Sequence, residues 1–176
     1  MDLRRAIGIG AVAVTMAVPG AVPAGAEPGG QEILPPNPLT CGGATVTMLL
    51  KPGAINYGTE GRDVVLGGPG ADVFYGKGGD DVACLLGGDD FAQGEDGNDT
   101  VYGGGGVDTI SGQEGTDKLY GDEGDDVLAG DYQNDRLFGG AGADALDGGG
   151  GKKDRCDGGA DADPAPGGCE KRKNLP

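Results

Sequence analysis

The sequence predicts an all-β fold made of short stacked strands, and two observations lead to this prediction. Gly and Pro account for 41 and 11 of the 176 residues, whereas Leu, Ile, Val and Phe together account for only 33. This composition would predict disorder in an aperiodic chain, because little apolar surface is available to offset chain entropy. From residue 58 onward, however, the sequence repeats every nine residues. The last three residues of each nine-residue repeat, or nonad, match a short strand whose middle side chain points inward.

Residues 1–26 are predicted to be a secretory signal peptide. Arg4 and Arg5 precede an apolar run from Ala6 to Val18, and small residues before Glu27 suggest cleavage there. A membrane anchor is the alternative, but thirteen residues are too few to cross a bilayer. We therefore expect a secreted, extracellular protein. Residues 27–40 are expected to form a flexible Pro-rich leader, and residues 41–57 a cap on the first edge of the repeat region.

Four positions of the nonad are nearly constant. Gly stands at positions one and four of most nonads, Asp at position six, and an apolar residue at position eight. Asp-Gly pairs by themselves mark turns, but turns do not require an uninterrupted Asp at every ninth residue. The sixth-position residues are Asp63, Asp72, Asp81, Asp90, Asp99, Asp108, Asp117, Asp126, Asp135 and Asp144.

These residue types suit a calcium site. Gly at positions one and four lets the backbone adopt positive φ in a tight turn that directs carbonyl oxygens inward. The sixth-position Asp adds a carboxylate, and Ca²⁺ prefers six to eight oxygen ligands. We assign the ten aspartates above as metal ligands. The loop glycines are Gly58, Gly61, Gly67, Gly70, Gly76, Gly79, Gly88, Gly94, Gly97, Gly103, Gly106, Gly112, Gly115, Gly121, Gly124, Gly139 and Gly142.

The pattern resembles the RTX, or haemolysin-type, calcium-binding nonapeptide repeat. Clear copies are Gly139-Gly140-Ala141-Gly142-Ala143-Asp144-Ala145-Leu146-Asp147 and Gly67-Gly68-Pro69-Gly70-Ala71-Asp72-Val73-Phe74-Tyr75. The resemblance covers residues 58–165. It implies a parallel β-roll, a right-handed β-solenoid with two nonads per turn and calcium between stacked turns. Each Asp then lies above the Asp eighteen residues later, which allows up to eight internal sites. Two loops depart from the pattern, at Leu85-Leu86 and at Tyr132-Gln133-Asn134.

The charge excludes some functions and couples the fold to cations. Residues 58–156 contain 22 acids and 7 bases. Such a chain repels nucleic acid, and its stacked carboxylates repel one another. Without calcium we therefore expect an unstable roll.

The four cysteines are expected to form two disulfides in an oxidising compartment. Three connectivities are possible. We favour Cys41–Cys84 and Cys156–Cys169, because each end of a solenoid exposes an edge that needs a cap. Residues 166–176 would form the C-terminal cap and tail.

Ninth-position residues eighteen apart predict an aromatic ladder of Tyr102, Tyr120 and Phe138. Because the chain has no His and a single Ser, we expect a non-catalytic protein. It is expected to bind calcium as a monomer and, in its mature form, not to insert into membranes. A calcium-dependent adhesive or glycan-binding module that uses the ladder is the alternative. A polysaccharide-modifying accessory module that depends on carboxylates is a weaker one.

Overall fold

The computed structural model describes residues 39–164 and 167–173. The predicted signal peptide and most of the predicted leader lie outside these residues. The described part contains sixteen strands and no helix that could cross a membrane. In chain order the strands are β1 (Thr40–Cys41), β2 (Ala44–Thr45), β3 (Met48–Leu49), β4 (Ile55–Tyr57), β5 (Val64–Leu66), β6 (Val73–Tyr75), β7 (Val82–Gly87), β8 (Phe91–Asp96), β9 (Thr100–Gly105), β10 (Thr109–Glu114), β11 (Lys118–Glu123), β12 (Val127–Asp131), β13 (Arg136–Ala141), β14 (Ala145–Asp147), β15 (Arg155–Ala160) and β16 (Lys171–Lys173).

Two parallel sheets face each other across a thin core. The eight-stranded sheet has the order β16-β15-β13-β11-β9-β7-β5-β3, and the six-stranded sheet has the order β14-β12-β10-β8-β6-β4. Successive nonads therefore alternate between the two sheets. The register confirms the spacing, because Val82 pairs with Thr100 and Leu128 with Ile110, eighteen residues apart in each case. The predicted parallel β-roll with two nonads per turn is thus confirmed.

The strands in the middle of the roll are longer than the sequence predicts. Strands β7 to β11, β13 and β15 have six residues each, so pairing continues past the x-U-x triplet into positions one to three of the next nonad. The six residues alternate in exposure, with positions eight and one buried and positions seven and nine facing outward. The expectation of three-residue strands holds only near the ends of the roll, where β4, β5, β6 and β14 have three.

The core consists mainly of one apolar side chain per nonad. The buried eighth-position residues are Val65, Phe74, Ala83, Ala92, Val101, Ile110, Leu119, Leu128, Leu137, Leu146 and Cys156. Leu85, which replaces a first-position glycine, is also fully buried in this core. It lies between Ala83 and Ala92 in the sequence, so its side chain supplies volume where the two smallest core residues leave space.

A disulfide-linked hairpin covers one outer face at the N-terminal end. Strands β1 and β2 are antiparallel, and Cys41 is bonded to Cys84 of β7. Cys41 packs with Val64, Leu66 and Cys84 in a second apolar cluster outside the eight-stranded sheet. The chain then enters the sheet as its edge strand β3, and Leu50 closes the core.

A second disulfide closes the other end of the roll. Cys156, which takes the eighth position when the last nonad is aligned on Asp154, lies in the core and is bonded to Cys169. Strand β16 then adds to β15 as the last strand of the eight-stranded sheet. The six-stranded sheet ends in a bridge between Asp147 and Gly167. Both disulfides therefore join the pairs that the sequence favours.

We predict that Leu119→Ala destabilises the calcium-loaded protein by about 3 kcal/mol, because Leu119 is fully buried and the cavity cannot collapse between two sheets. The matched change Val127→Ala, at a residue that is 47% exposed, should cost below about 0.5 kcal/mol. Urea unfolding in excess calcium measures both. Equal losses would contradict the assignment of position eight to the core.

Candidate metal centre

The sixth-position aspartates form two buried columns, one along each side of the roll. In each pair of neighbouring turns, the backbone N–H of one Asp donates to Oδ1 of the Asp in the next turn, at 2.7–3.0 Å. All ten predicted ligands take part in these bonds. Each is 8% exposed or less. The strict nine-residue interval of the sequence thus becomes a continuous stack of carboxylates.

Apart from Asp63, each of these carboxylates has one buried oxygen that lacks a hydrogen-bond donor. Among the described residues, the buried carboxylate oxygens without a partner are Oδ1 of Asp72 and Oδ2 of Asp81, Asp90, Asp99, Asp108, Asp117, Asp126, Asp135, Asp144, Asp154 and Asp163. A buried carboxylate without a partner is costly. A repeated set of such oxygens along both columns is therefore an arrangement suited to cations.

The first two nonads differ from the rest. The N–H of Thr59 donates to Oδ2 of Asp63, and the N–H of Gly68 donates to Oδ2 of Asp72, both at 2.7 Å. From Asp81 onward no such bond forms. This change in hydrogen bonding coincides with a change in backbone conformation, because position two has positive φ from Lys77 onward. Asp63, alone among the ten predicted ligands, has no buried oxygen without a partner.

The glycine roles differ from those expected. Positive φ occurs at positions two and four, and at no first-position glycine in the described part of the chain. Position four follows the expectation from Gly79 onward but not at Gly61 or Gly70. Position two adopts positive φ even with non-glycine residues such as Glu95 and Asp122, a conformation that costs about 1–2 kcal/mol. The prediction of positive φ at position one was therefore wrong.

Position one requires Gly for space instead. A Cβ atom at Gly94 would overlap Oδ2 of Asp99 and lie 2.9 Å from the carbonyl oxygen of Gly112 in the next turn. At Gly103 a Cβ would meet Asp108 and Gly121 in the same way. Each first-position glycine thus leaves room beside a carboxylate oxygen and a carbonyl oxygen.

The donor set at each rung contains only oxygen. No three acidic or cysteine side chains converge on one point in the described residues, so a cation here would need backbone carbonyls besides the carboxylates. Because the chain has no His and all four cysteines form disulfides, nitrogen and sulfur ligands are absent from this part. Oxygen-only sites with flexible loops suit Ca²⁺, so the residues fit the ion that the sequence pattern implies.

Burial raises the pKa of the sixth-position aspartates from Asp81 to Asp144. Desolvation is the main cause, the backbone N–H of the preceding turn opposes it, and nearby carboxylates add to it. The pKa rises to about 7 for Asp81, Asp90, Asp117 and Asp126. It rises to about 6 for Asp99, Asp108 and Asp135. These carboxyl groups therefore keep their protons to a higher pH than an ordinary Asp, and a bound cation would favour their charged form.

A second row of polar side chains lies outside the first, at position five. Oδ1 of Asp80 accepts from the N–H and the side-chain amide of Asn98, which lowers the pKa of Asp80. Oδ1 of Asp89 and Oδ1 of Asp125 accept from the N–H groups of Val107 and Ala143. These exposed fifth-position side chains therefore accept hydrogen bonds from the backbone of the next turn. The buried columns are formed by the sixth-position aspartates.

The irregular loop at Tyr132-Gln133-Asn134 forms the same turn without a glycine at position four. Gln133 takes the place of the fourth-position glycine and adopts its positive φ. Its side chain accepts from the N–H of Gly115 and donates to Glu114. Asp135, which follows this loop, keeps its place in the column.

The predicted aromatic ladder is present. Ring centroids of Tyr102 and Tyr120 lie 4.7 Å apart at 13°, and those of Tyr120 and Phe138 lie 4.8 Å apart at 7°. The ring faces therefore cover one another, which leaves mainly ring edges for solvent. Sugar rings stack on faces, so this geometry gives the glycan-binding alternative no support. A second stacked pair, Tyr57 and Tyr75, was not predicted from the sequence.

The ten predicted ligands do not include two further members of the columns, Asp154 and Asp163, although the sequence places them as the acids of an eleventh nonad with one extra residue and of a degenerate twelfth. Both are buried, and their Oδ1 atoms accept from Asp135 and Asp144, nineteen residues earlier. One inserted residue after Gly148 shifts both out of the nine-residue step. The signal that finds them is the spacing within each loop, Gly-Gly followed five or six residues later by Asp.

In the metal-free protein, acidification should restore β structure. Because the folded-state pKa values of about 6 to 7 lie above the ordinary value of 3.8, the folded chain binds more protons than the unfolded chain. Stability without metal is then greatest below that ordinary value and is lost as the pH rises through 6 to 7. Circular dichroism of exhaustively dialysed protein between pH 4 and pH 8 tests this prediction. A β signal that grows with rising pH would contradict it.

The comparisons with known proteins agree with this geometry. The family described as RTX calcium-binding nonapeptide repeat (4 copies) matches residues 57–83, 86–119 and 120–152. A comparison with curated proteins found no match. The matched segments make up more than half of the chain and coincide with the stacked loops. The protein therefore belongs to the RTX calcium-binding nonapeptide repeat family.

Proposed function

We propose that this is a secreted, non-catalytic calcium-binding protein whose β-roll folds when several Ca²⁺ ions bind between stacked Gly/Asp loops. The observation that carries the proposal is the set of buried carboxylate oxygens without donors in the two columns. This set begins in the second nonad and reaches the last turn. The family to which the chain belongs supports calcium as the ion.

The aspartates from Asp72 to Asp144 would hold the ions together with backbone carbonyls of positions one and four. When bound, Ca²⁺ supplies positive charge that offsets the desolvation of these groups and their mutual repulsion. The protein itself provides the spacing, because each turn places its carboxylate beside the first-position glycine of the same nonad. Nine of the ten predicted ligands retain an unpartnered buried oxygen, and Asp63 does not.

Coupling between metal binding and folding follows from the balance of forces. The core contributes about one apolar residue per nonad, and two of these residues are alanines. Folding is opposed by the desolvation and mutual repulsion of the column of buried carboxylates on each side of the roll. Since the unfolded chain exposes these groups to water, ions that bind only the folded chain shift the equilibrium strongly toward it.

Secretion and a monomeric state belong to the same proposal. The predicted signal peptide and two disulfides suit an oxidising, extracellular setting, where calcium is available. Each end of the roll is tied to a disulfide-linked segment, which reduces pairing between the sheet edges of different molecules.

We predict that chelation unfolds the mature chain at neutral pH, because the uncompensated columns outweigh the small core. Circular dichroism in excess EGTA and then in excess Ca²⁺ measures this change, with Mg²⁺ as a control for general ionic screening. A β spectrum that is the same in all three conditions would refute metal-dependent folding.

We predict that Asp99→Asn weakens calcium binding more than Asp80→Asn. Both changes remove one charge and keep an oxygen that accepts the inter-turn N–H bond. Only Asp99 has a buried oxygen without a donor, and it neighbours Asp81 and Asp117 in the column. We expect the calcium midpoint to rise at least about fivefold for Asp99→Asn, against less than about twofold for Asp80→Asn.

Asp63→Asn gives a second control inside the column, since Thr59 already satisfies Oδ2 of Asp63. Calorimetric titration should find its stoichiometry close to that of the unchanged protein. Equal losses for Asp99→Asn, Asp80→Asn and Asp63→Asn would show that net charge alone governs binding.

A further inference from the structure

The last turn of the roll contains a carboxylate that no regular repeat follows. Asp154 is fully buried, and Oδ1 accepts from the N–H of Asp135 at 2.8 Å. Oδ2 has no donor. Lys152 and Lys153 precede Asp154 but are exposed. Asp154 lies beyond the residues matched by the family, which end at 152.

The segment from Gly167 to Glu170 occupies the place of the next turn. In the regular repeats the N–H of a first-position residue donates to the ninth-position carbonyl of the following turn, as from Gly67 to Cys84. At the end of the roll, the N–H of Gly148 donates to the carbonyl of Gly167 at 3.0 Å. The N–H of Glu170 donates to the carbonyl of Asp154, just as the N–H of Val82 donates to Asp63.

The carbonyl of Gly168 also takes the position of a repeat carbonyl. A Cβ at Gly148 would lie 3.1 Å from the Gly168 oxygen and 2.6 Å from Cβ of Asp154. At Gly94 the corresponding neighbours are the Gly112 oxygen and Asp99. A first-position glycine, an Asp side chain and a next-turn carbonyl thus meet here as well, but the Asp154 oxygens lie nearest Gly151, where a Cβ would meet both of them. The carbonyl comes from a segment that carries no nonapeptide pattern.

The disulfide holds this segment in place. Cys169, the residue after Gly168, is bonded to Cys156, which lies two residues after Asp154 in β15. Cys169 is 7% exposed and packs in the core. The bridge therefore ties the Gly168 carbonyl to the turn that carries Asp154.

We propose that Asp154 and the Gly168 carbonyl form a calcium site beyond the nonapeptide repeats, which the Cys156–Cys169 disulfide closes. The proposal rests on the proposed calcium-dependent folding of the roll. It adds a terminal ion whose binding depends on a segment outside the repeats.

Two substitutions that each remove one negative charge test whether Asp154 is a calcium ligand. Asp154→Asn keeps Oδ1 as acceptor for Asp135 but removes the anionic Oδ2, whereas Asp161→Asn alters an exposed residue in the next loop. Native mass spectrometry in calcium should count one ion fewer for Asp154→Asn and an unchanged number for Asp161→Asn. Equal counts in the unchanged protein and in Asp154→Asn would overturn the proposal.

Hydrogen exchange shows which part of the roll is affected when the ion is lost. For Asp154→Asn, calcium-dependent protection should fall in β15 and persist in β9, which lies three strands away in the same sheet. Uniform loss of protection along the roll would instead indicate general destabilisation and overturn the assignment to a terminal site.

Two disulfide variants test the closing segment. Cys156→Ala with Cys169→Ala should lose the same ion as Asp154→Asn, whereas Cys41→Ala with Cys84→Ala should retain it, although both remove one bridge. Retention of the ion in the first variant would refute the role of the disulfide. Failure of the unchanged protein to bind any calcium would refute the proposed function itself, which is a different outcome.

Discussion

The whole molecule depends on carboxylates stacked at the spacing of β-strands. Two unit charges about 4 Å apart repel by about 1 kcal/mol in water and by about 4 kcal/mol at an effective dielectric constant of 20. Buried columns of such groups oppose the parallel sheets that bring them together, and desolvation, with this repulsion as a smaller cause, raises the pKa values along both columns. The small core of one apolar residue per nonad is sufficient only if this repulsion is removed. Protons or cations are therefore part of the stability of the fold.

The hydrogen bonds give the roll a direction. At position six, the side chain of one turn accepts from the backbone of the turn before it, as between Asp99 and Asp81. At position five the direction is reversed, since Asp80 accepts from Asn98 in the turn after it. Each turn is thus linked to both neighbours through side chains as well as through the sheets. Because turns contact only their neighbours, stability depends on the interfaces between successive turns.

The two ends of this one-dimensional structure are treated differently from its middle. At the N-terminal end, Asp63 has its second oxygen satisfied by Thr59 and the hairpin covers an outer face. At the other end, Asp154 retains an unpartnered oxygen and a disulfide-linked segment replaces the missing turn. Both ends use covalent cross-links where the repeats can no longer supply neighbours, and a cross-link needs no core to hold a short segment in place.

The sequence by itself determined the features that depend on a constant step along the chain. Asp at every ninth residue implies stacked carboxylates, an apolar eighth residue implies an inward row, and Tyr102, Tyr120 and Phe138 imply a ladder. Only the tertiary structure decided the features that depend on which groups meet between turns. It placed positive φ at position two, satisfied Asp63 but not Asp99, and turned the aromatic faces toward one another. It also brought Asp154 and Asp163 into the columns. A single inserted residue interrupts the nine-residue spacing of the sequence. In the structure the extra residue lies in a loop, and the strands on either side stay in register.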